Sequence, residues 1–431
     1  MVIVDTLLDE RARAHDPLRV GVIGAGSMSR GFINQIVRYM PGMRVAALCN
    51  RTFATARKAL EDAGVDAADI IEANSAVAVD HAIEMGKTAL TDNLDAVCAS
   101  GQVEVLIEAT GHIAYGAQVV LTAIENGKSM VLMNAELDGS IGPLLKKRAD
   151  DTGVILTGCD GDQPGVQMNL YRFVQSIGLR PLVCGNIKGL LDHYRNPTTQ
   201  AKFAKQWNQT PHMVTSFADG TKIAFEQAIV GNATGMRVAQ RGMIGPELKG
   251  HVDELIGHYD IDRVRELGGI VDYVLGAEPS PGVYVFAEAQ DDMQRHYLNY
   301  AKLGEGPLYS FYVPYHLMVF EVPLSAARVA LANDVIIAPR GAPVVDVIAI
   351  AKRDLKRGET LDGLGGYMSY GLCENHDIVR RDRLLPFGLV EGAVLTRDVS
   401  QDSAITYDDV TLDDNSLMVR LRAEQDRLFS S

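Results

Sequence analysis

The stretch GVIGAGSMSRGF, residues 21–32, sets Gly24 and Gly26 between an apolar run, LRVGVIG, and a segment with apolar residues at helical spacing, MSRGFINQIVRYM. Strand, glycine turn and helix in that order are what a pyrophosphate requires. Gly24 permits the tight turn, and Gly26 lets backbone approach the phosphates, whose charge then sits on the helix N-terminus. Ala25, Ser27 and Met28 complete the loop, and Ser29 takes the place of the usual third glycine, where a small side chain still allows close packing. The next apolar run, MRVAALCN, ends in Asn50, Arg51 and Thr52 rather than in the acid that would bond the ribose of NAD. Arg51 can stack on adenine and pair with a 2′-phosphate while Asn50 and Thr52 donate hydrogen bonds, so the expected cofactor is NADPH. A solvated turn arginine is the alternative.

A second group lies in residues 186–206, NIKGLLDHYRNPTTQAKFAKQ. It carries Lys188, Arg195, Lys202 and Lys205 against one acid, Asp192, in a chain of net charge −14. Such a local reversal suits a phosphate or carboxylate. Asn196-Pro197 marks a turn, after which Lys202 and Lys205, three apart on a helix, share a face. Arg195, Lys202 and Lys205 are the candidate phosphate ligands, with Asp192 or His193 as proton carrier. A solvated helix face is the plain alternative. Asp160 and Asp162, in CDGDQPG, could hold a divalent ion such as Mg2+ or Mn2+ or relay a proton; an Asx-type turn is the plainer alternative.

The elements that must position these residues alternate. VEVLIEATG, AYGAQVVLTAIENGK, SMVLMNAEL, GPLLKKRADDTG and VILTGCDGDQPG read as strand, helix, strand, helix, strand, which implies an α/β chain with a doubly wound parallel sheet of Rossmann type. Thr110, Gly111, His112, Asn134 and Glu136 fall at the strand ends, where a nicotinamide would lie. The expected divisions are a nucleotide-binding domain over 1–158, an α+β substrate domain over 159–332 whose end returns to the first sheet, and a small β-rich domain over 333–431.

The segment EATG…GK…MNAEL resembles the nicotinamide half of homoserine dehydrogenase, although that family has a lysine where this chain has Ala135. The stretches GVIGAGSMSRGF, CNRT, GDQPG, GLLDHYRNP, EQAIVGNATGM and YHLMVFEVPLS resemble the 1-deoxy-D-xylulose 5-phosphate reductoisomerase-like family, whose members are similar to homoserine dehydrogenase and end in a SAF-type domain. That resemblance implies an NADPH-dependent reductoisomerase of isoprenoid precursor synthesis with a small anionic phosphorylated sugar as substrate; IKGLLD resembles the substrate pocket of homoserine dehydrogenase, which implies Lys188 beside the reacting carbonyl, and either Lys188 or a metal held by Asp160 and Asp162 would polarise the ketone. The alternatives are an NADP-dependent semialdehyde reductase without rearrangement, and a protein that binds NADPH and a sugar acid without turnover. The SAF-like end would serve as a sugar-facing wall or as a dimerisation module, and a homodimer is expected.

Composition narrows the partners. The acidic balance opposes nucleic acid and anionic lipid, and 47% hydrophobic with 22% charged residues and no run long enough to span a bilayer is the balance of a soluble chain. The opening MVIVDTLLDERARAHDPL has acids where a signal peptide wants bases, and Cys49, Cys98, Cys159, Cys184 and Cys373 form no C-x-x-C pair. A cytoplasmic location is expected.

Overall fold

The computed structural model describes residues 4–430, which form two compact units. The first comprises the described residues up to Leu137 together with Leu144–Asp162 and Leu317–Ala338. Its sheet contains β1 (Leu18–Ile23), β2 (Met43–Cys49), β3 (Ile70–Glu72), β4 (Thr88–Thr91), β5 (Val105–Glu108), β6 (Met130–Leu132) and β7 (Leu156–Gly158), in the order β3-β4-β2-β1-β5-β6-β7. All pairings are parallel. The central strands β1, β2 and β5 are buried on both faces, as helical crossovers require. The chain winds outward from β1 through β2 and returns to β5, so the order reverses between β1 and β5. Ligands of such sheets bind beyond the carboxyl ends of the strands at that reversal. The doubly wound α/β fold is therefore as the alternating pattern anticipates.

The second unit contains Asp138–Pro143, Gln163–His316 and the described residues from Pro339 onward. Its main sheet has the order β11-β10-β8-β9, with β8 (Arg180–Lys188), β9 (Ile270–Leu275), β10 (Gly282–Glu288) and β11 (Leu308–Val313). β10 runs antiparallel to β8 and β11, and β9 parallel to β8. On β8 Gly185 leaves room for the ring of Tyr284 on β10; an added Cβ would lie 2.2 Å from that ring. The Tyr284 hydroxyl bonds Tyr259, which donates to the buried Asp272, so these three polar side chains are satisfied within an otherwise apolar core. The helices Gln163–Ser176 and Thr221–Thr234 pack here, and nearly every residue of the latter is buried. In the same unit β12 (Val345–Ala351) and β13 (Ser369–Asn375) form an antiparallel pair, and β14 (Val394–Leu395) pairs with β15 (Val410–Thr411). No helix among the described residues is long and apolar enough to cross a membrane.

Candidate active site

At the end of β1, Gly24 has φ +102°, and an added Cβ would lie 3.0 Å from the carbonyl oxygen of Ala109. Only glycine suits both the left-handed backbone and this approach of the β1 and β5 exits. Gly26 caps the helix Ser27–Tyr39, and nothing stands within 4 Å of where its Cβ would be. That open face at a helix N-terminus, with no acid in the first turn, fits a pyrophosphate. Ser29 is fully buried, and the tightest packing on this helix falls at Gly31, where a Cβ would lie 2.7 Å from Val319 of the helix Met318–Ala332. Gly31 thus allows a close helix-to-helix approach, distinct from the helix-to-strand packing that a third motif glycine gives.

Asn50 braces the loop instead of facing outward. Its Oδ1 accepts from the Ala25 N–H at 3.2 Å, and its Nδ2 donates to the Thr52 carbonyl at 2.9 Å. Arg51 and Thr52 are exposed, and the Thr52 side chain makes no cap bond to the helix Phe53–Ala63, whose first turn carries no acid. A guanidinium and a free hydroxyl at a helix N-terminus fit a 2′-phosphate.

Beyond β5 the turn is held by Glu108, a residue the sequence pattern does not single out. Its carboxylate is fully buried and accepts from both the N–H and the hydroxyl of Thr110. Burial pushes its pKa up to about 6 against these hydrogen bonds and that of Asn134. Asn134 caps the helix Ala135–Thr152 by accepting from Leu137 N–H at 3.2 Å and donates to the His112 carbonyl. His112 in turn caps Ile113–Glu125, and Gly111, at φ +66°, has open space where a side chain would be. Thr110, Gly111, His112 and Asn134 therefore form one connected rim at the carboxyl ends of β5 and β6. Glu136 is buried one residue into the helix that Asn134 caps.

Asp160 does not present a metal-binding carboxylate. Arg328 Nη1 lies 2.7 and 3.0 Å from its two oxygens, and Ser325 Oγ donates to it at 3.3 Å while accepting the Asp160 N–H at 2.7 Å. Its lone pairs are spent on a buried ion pair with the helix Met318–Ala332, which Asp334 extends at 2.6 Å from Arg328 Nη2. Asp162 is buried beside it, and among the described residues no group of three or more His, Cys, Asp or Glu is arranged to hold a metal ion. The expected Mg2+ or Mn2+ site at Asp160 and Asp162 does not fit these donors.

In the second unit, Asn186 and Lys188, two apart on β8 and so on one face, meet the helices Gln163–Ser176 and Thr221–Thr234. Lys188 Nζ donates to Gln163 Oε1 at 2.8 Å and lies 3.5 Å from Glu226 Oε2. Asn186 Nδ2 donates to the same two oxygens at 2.9 Å each, and its Oδ1 accepts from Gln167. Lys188 keeps some exposure at the strand end, whereas Glu226 is buried. Lys222, also buried, lies one helical turn before Glu226 on the same face. An ammonium group oriented by an amide and a buried carboxylate can polarise a carbonyl, and the carboxylate can exchange a proton with a hydroxyl. Glu226, Gln163 and Asn186 escape sequence reasoning, although a glutamate inside the otherwise apolar AFEQAIV is a visible signal.

The remaining candidates sit on the segment that follows. Asp192 Oδ2 accepts from Arg195 Nε at 2.9 Å, and its Oδ1 from the Tyr194 N–H. His193 Nδ1 bonds the Asp219 carbonyl at 2.7 Å, so Nδ1 carries the proton and Nε2 is the basic nitrogen of the neutral ring. Neither shares a hydrogen bond with the Lys188 cluster. The helix Pro197–Gln206 begins with a capping box at Asn196 and Thr199, and Lys202 and Lys205 project exposed from it. Arg195, on the segment just before this helix, spends its Nε on Asp192.

Residues 161–322 match the family model described as oxidoreductase DRL, catalytic domain, and residues 24–139 match that of homoserine dehydrogenase, NAD binding domain. No curated protein matches the chain. Among solved structures, a probable dehydrogenase from Thermotoga maritima is 11% identical, with 75% of this chain and 91% of that one covered and a TM-score of 0.41. The scyllo-inositol dehydrogenase of Lactobacillus casei is 10% identical over 69% of this chain and 76% of its own, TM-score 0.35. A 3-ketoreductase from Actinomadura kijaniata is 12% identical over 75% and 91%, TM-score 0.36. The Gly24–Asn134 rim thus lies within a homoserine dehydrogenase-type NAD-binding domain and the Lys188–Glu226 pair within a DRL catalytic domain, which makes the chain an NAD(P)-dependent oxidoreductase.

Proposed function

We propose that the chain is an NADPH-dependent reductoisomerase that converts 1-deoxy-D-xylulose 5-phosphate to 2-C-methyl-D-erythritol 4-phosphate. The observation that carries this reading is the Lys188–Glu226 pair inside the DRL-type domain, followed in sequence by a segment bearing Arg195, Lys202 and Lys205. The rearrangement needs a cation at the ketone oxygen and a base for a neighbouring hydroxyl. Lys188 supplies the first, because its ammonium is held by Gln163 and stabilises negative charge on that oxygen. Glu226 supplies the second by accepting the hydroxyl proton and returning it. Arg195, Lys202 and Lys205 hold the substrate phosphate, Arg195 as a two-pronged donor and the lysines as point charges. Arg51 and Thr52 hold the cofactor's 2′-phosphate. NADPH, when bound, contributes the hydride that reduces the rearranged aldehyde.

Purified protein with NADPH, offered deoxyxylulose phosphate and aspartate semialdehyde in parallel, tests the reading when the products are identified by mass spectrometry. Methylerythritol phosphate from the first substrate is the expected result. Homoserine alone would replace it with simple semialdehyde reduction, and NADPH binding with no turnover of either would make the chain a sensor. Changing Arg195, Lys202 and Lys205 together to alanine is expected to abolish saturation by the phosphorylated ketone and to spare NADPH affinity.

A further inference from the structure

Lys352, at the end of β12, is buried, and its three donors meet three acceptors: the Arg195 carbonyl at 2.8 Å, Asp219 Oδ2 at 2.9 Å and the Gly366 carbonyl at 2.9 Å. Two of these acceptors hold the segment 192–198 from different sides. Arg195 is on it, and Asp219 binds His193 Nδ1 through its carbonyl while its Oδ1 accepts the Thr221 N–H at the start of the helix Thr221–Thr234. The C-terminal segment adds further contacts to the same loop. The His193 ring stacks on Tyr370 with centroids 4.3 Å apart. Tyr194 donates to Asp402 at 2.8 Å, and Tyr370 bonds the other oxygen of that carboxylate. Tyr367 shares a hydrogen bond with Thr198 at 2.8 Å. Gly365, at φ +61°, sits against the helix Pro211–Ala218 so closely that a Cβ would lie 1.9 Å from the His212 carbonyl.

Residues 192–196, which lie outside regular structure, must lose much conformational freedom before Arg195 can converge with Lys202 and Lys205 of the following helix on an anion. Every residue from 193 to 195, and Thr198 beyond them, is tied to this segment directly or through Asp219. We propose that Lys352 is a positioning residue for the anion-binding loop 192–198, and that the C-terminal segment carrying it acts as the clamp of that loop. This rests on the proposed function for the identity of the anion, a phosphorylated ketone, and on the geometry alone for the clamp. Lys352 does not touch the substrate. Its effect passes through the backbone of Arg195, so it governs affinity for the phosphate end and leaves the chemistry at Lys188 unchanged.

Removing Lys352 alone would strand the buried Asp219 carboxylate, so the test uses Lys352→Met with Asp219→Asn, which leaves no unpaired charge. Amide hydrogen exchange of residues 192–198 without ligand is expected to quicken by about tenfold or more, while exchange in β8 and β10 stays at the parent rate. The KM for deoxyxylulose phosphate is expected to rise about tenfold with kcat within about twofold, and NADPH affinity to stay unchanged. If that variant fails to fold, Tyr194→Phe with Tyr367→Phe, both at half-exposed positions, carries the same expectation for exchange. Parent-like exchange at 192–198 in the folded variant would overturn the clamp, as would a fall in kcat at constant KM. A parent protein that turns over no phosphorylated ketone would overturn the functional reading, and the exchange measurement would still decide the role of Lys352.

Discussion

The side chain of Asn50 ties the end of β2 to the glycine loop after β1, accepting the Ala25 N–H at 3.2 Å while donating to Thr52. Because both ends of that amide are occupied, discrimination between cofactors falls to Arg51 and Thr52. NADPH is expected to bind more tightly than NADH by about 1.5–3 kcal/mol, the worth of a charge-assisted hydrogen bond. Arg51→Ala should shrink that difference and leave NADH affinity nearly as it was. Asn50→Ala should weaken both cofactors alike, because it releases the loop. Titration calorimetry with the two cofactors separates these outcomes, and equal affinities in the parent would sink the assignment.

Lys188 and Glu226 make a second, separable prediction. Lys188→Met should lower kcat by about 10²–10³ with a much smaller effect on KM, as expected for a donor that acts on charge developing in the transition state. Glu226→Gln keeps an oxygen for Asn186 Nδ2 and preserves the fold, yet removes the proton acceptor, so a comparable loss in kcat is expected. A change confined to KM in either variant would reduce the pair to a binding feature.

How far such a site can be read from the sequence depends on the range of the interactions. Gly24, Gly26 and the strand and helix around them are local, because a φ of +102° and a helix N-terminus leave their mark within a few residues. The basic segment 195–205 is also legible, being a reversal of charge in an acidic chain. Glu226 and Lys352 act across 38 and 157 residues from Lys188 and Arg195, and no spacing rule connects such positions. Asp160 illustrates the opposite error: a pair of aspartates in a glycine-rich turn looks like a cation site until Arg328, 168 residues away, is seen to neutralise one of them.

The Asp160–Arg328 pair should accordingly matter for stability. Removing one partner of a buried ion pair costs about 3–5 kcal/mol, and Asp160→Asn leaves Arg328 still paired with Asp334, so the loss should lie at or below the lower end of that range. Thermal unfolding of parent and variant with and without a chelator measures it. The substitution should lower the Tm and EDTA should leave the Tm unmoved; the reverse pattern would restore Asp160 as a metal ligand.

Asp138 gives the stability its pH dependence. It lies in the first part of the helix Ala135–Thr152, ahead of the non-helical Ile141 (φ −141°), where Gly142 leaves room for the carboxyl: a Cβ there would lie 2.0 Å from Oδ1. Burial pushes its pKa up to about 7 from the usual value near 3.8. Below about pH 4 the carboxyl is protonated in folded and unfolded chains alike. Between about 4 and 7 the unfolded chain gives up the proton and the folded chain keeps it, so the folded state binds more protons and stability falls as pH rises. Above about 7 both forms are ionised and the penalty is constant, on the order of a few kcal/mol. Asp138→Asn removes the titration. Its Tm should match the parent near pH 4 and exceed it increasingly toward pH 7.5, when both are measured across that range. A difference between parent and variant that does not change with pH would show that the carboxyl titrates as it does in an unfolded chain.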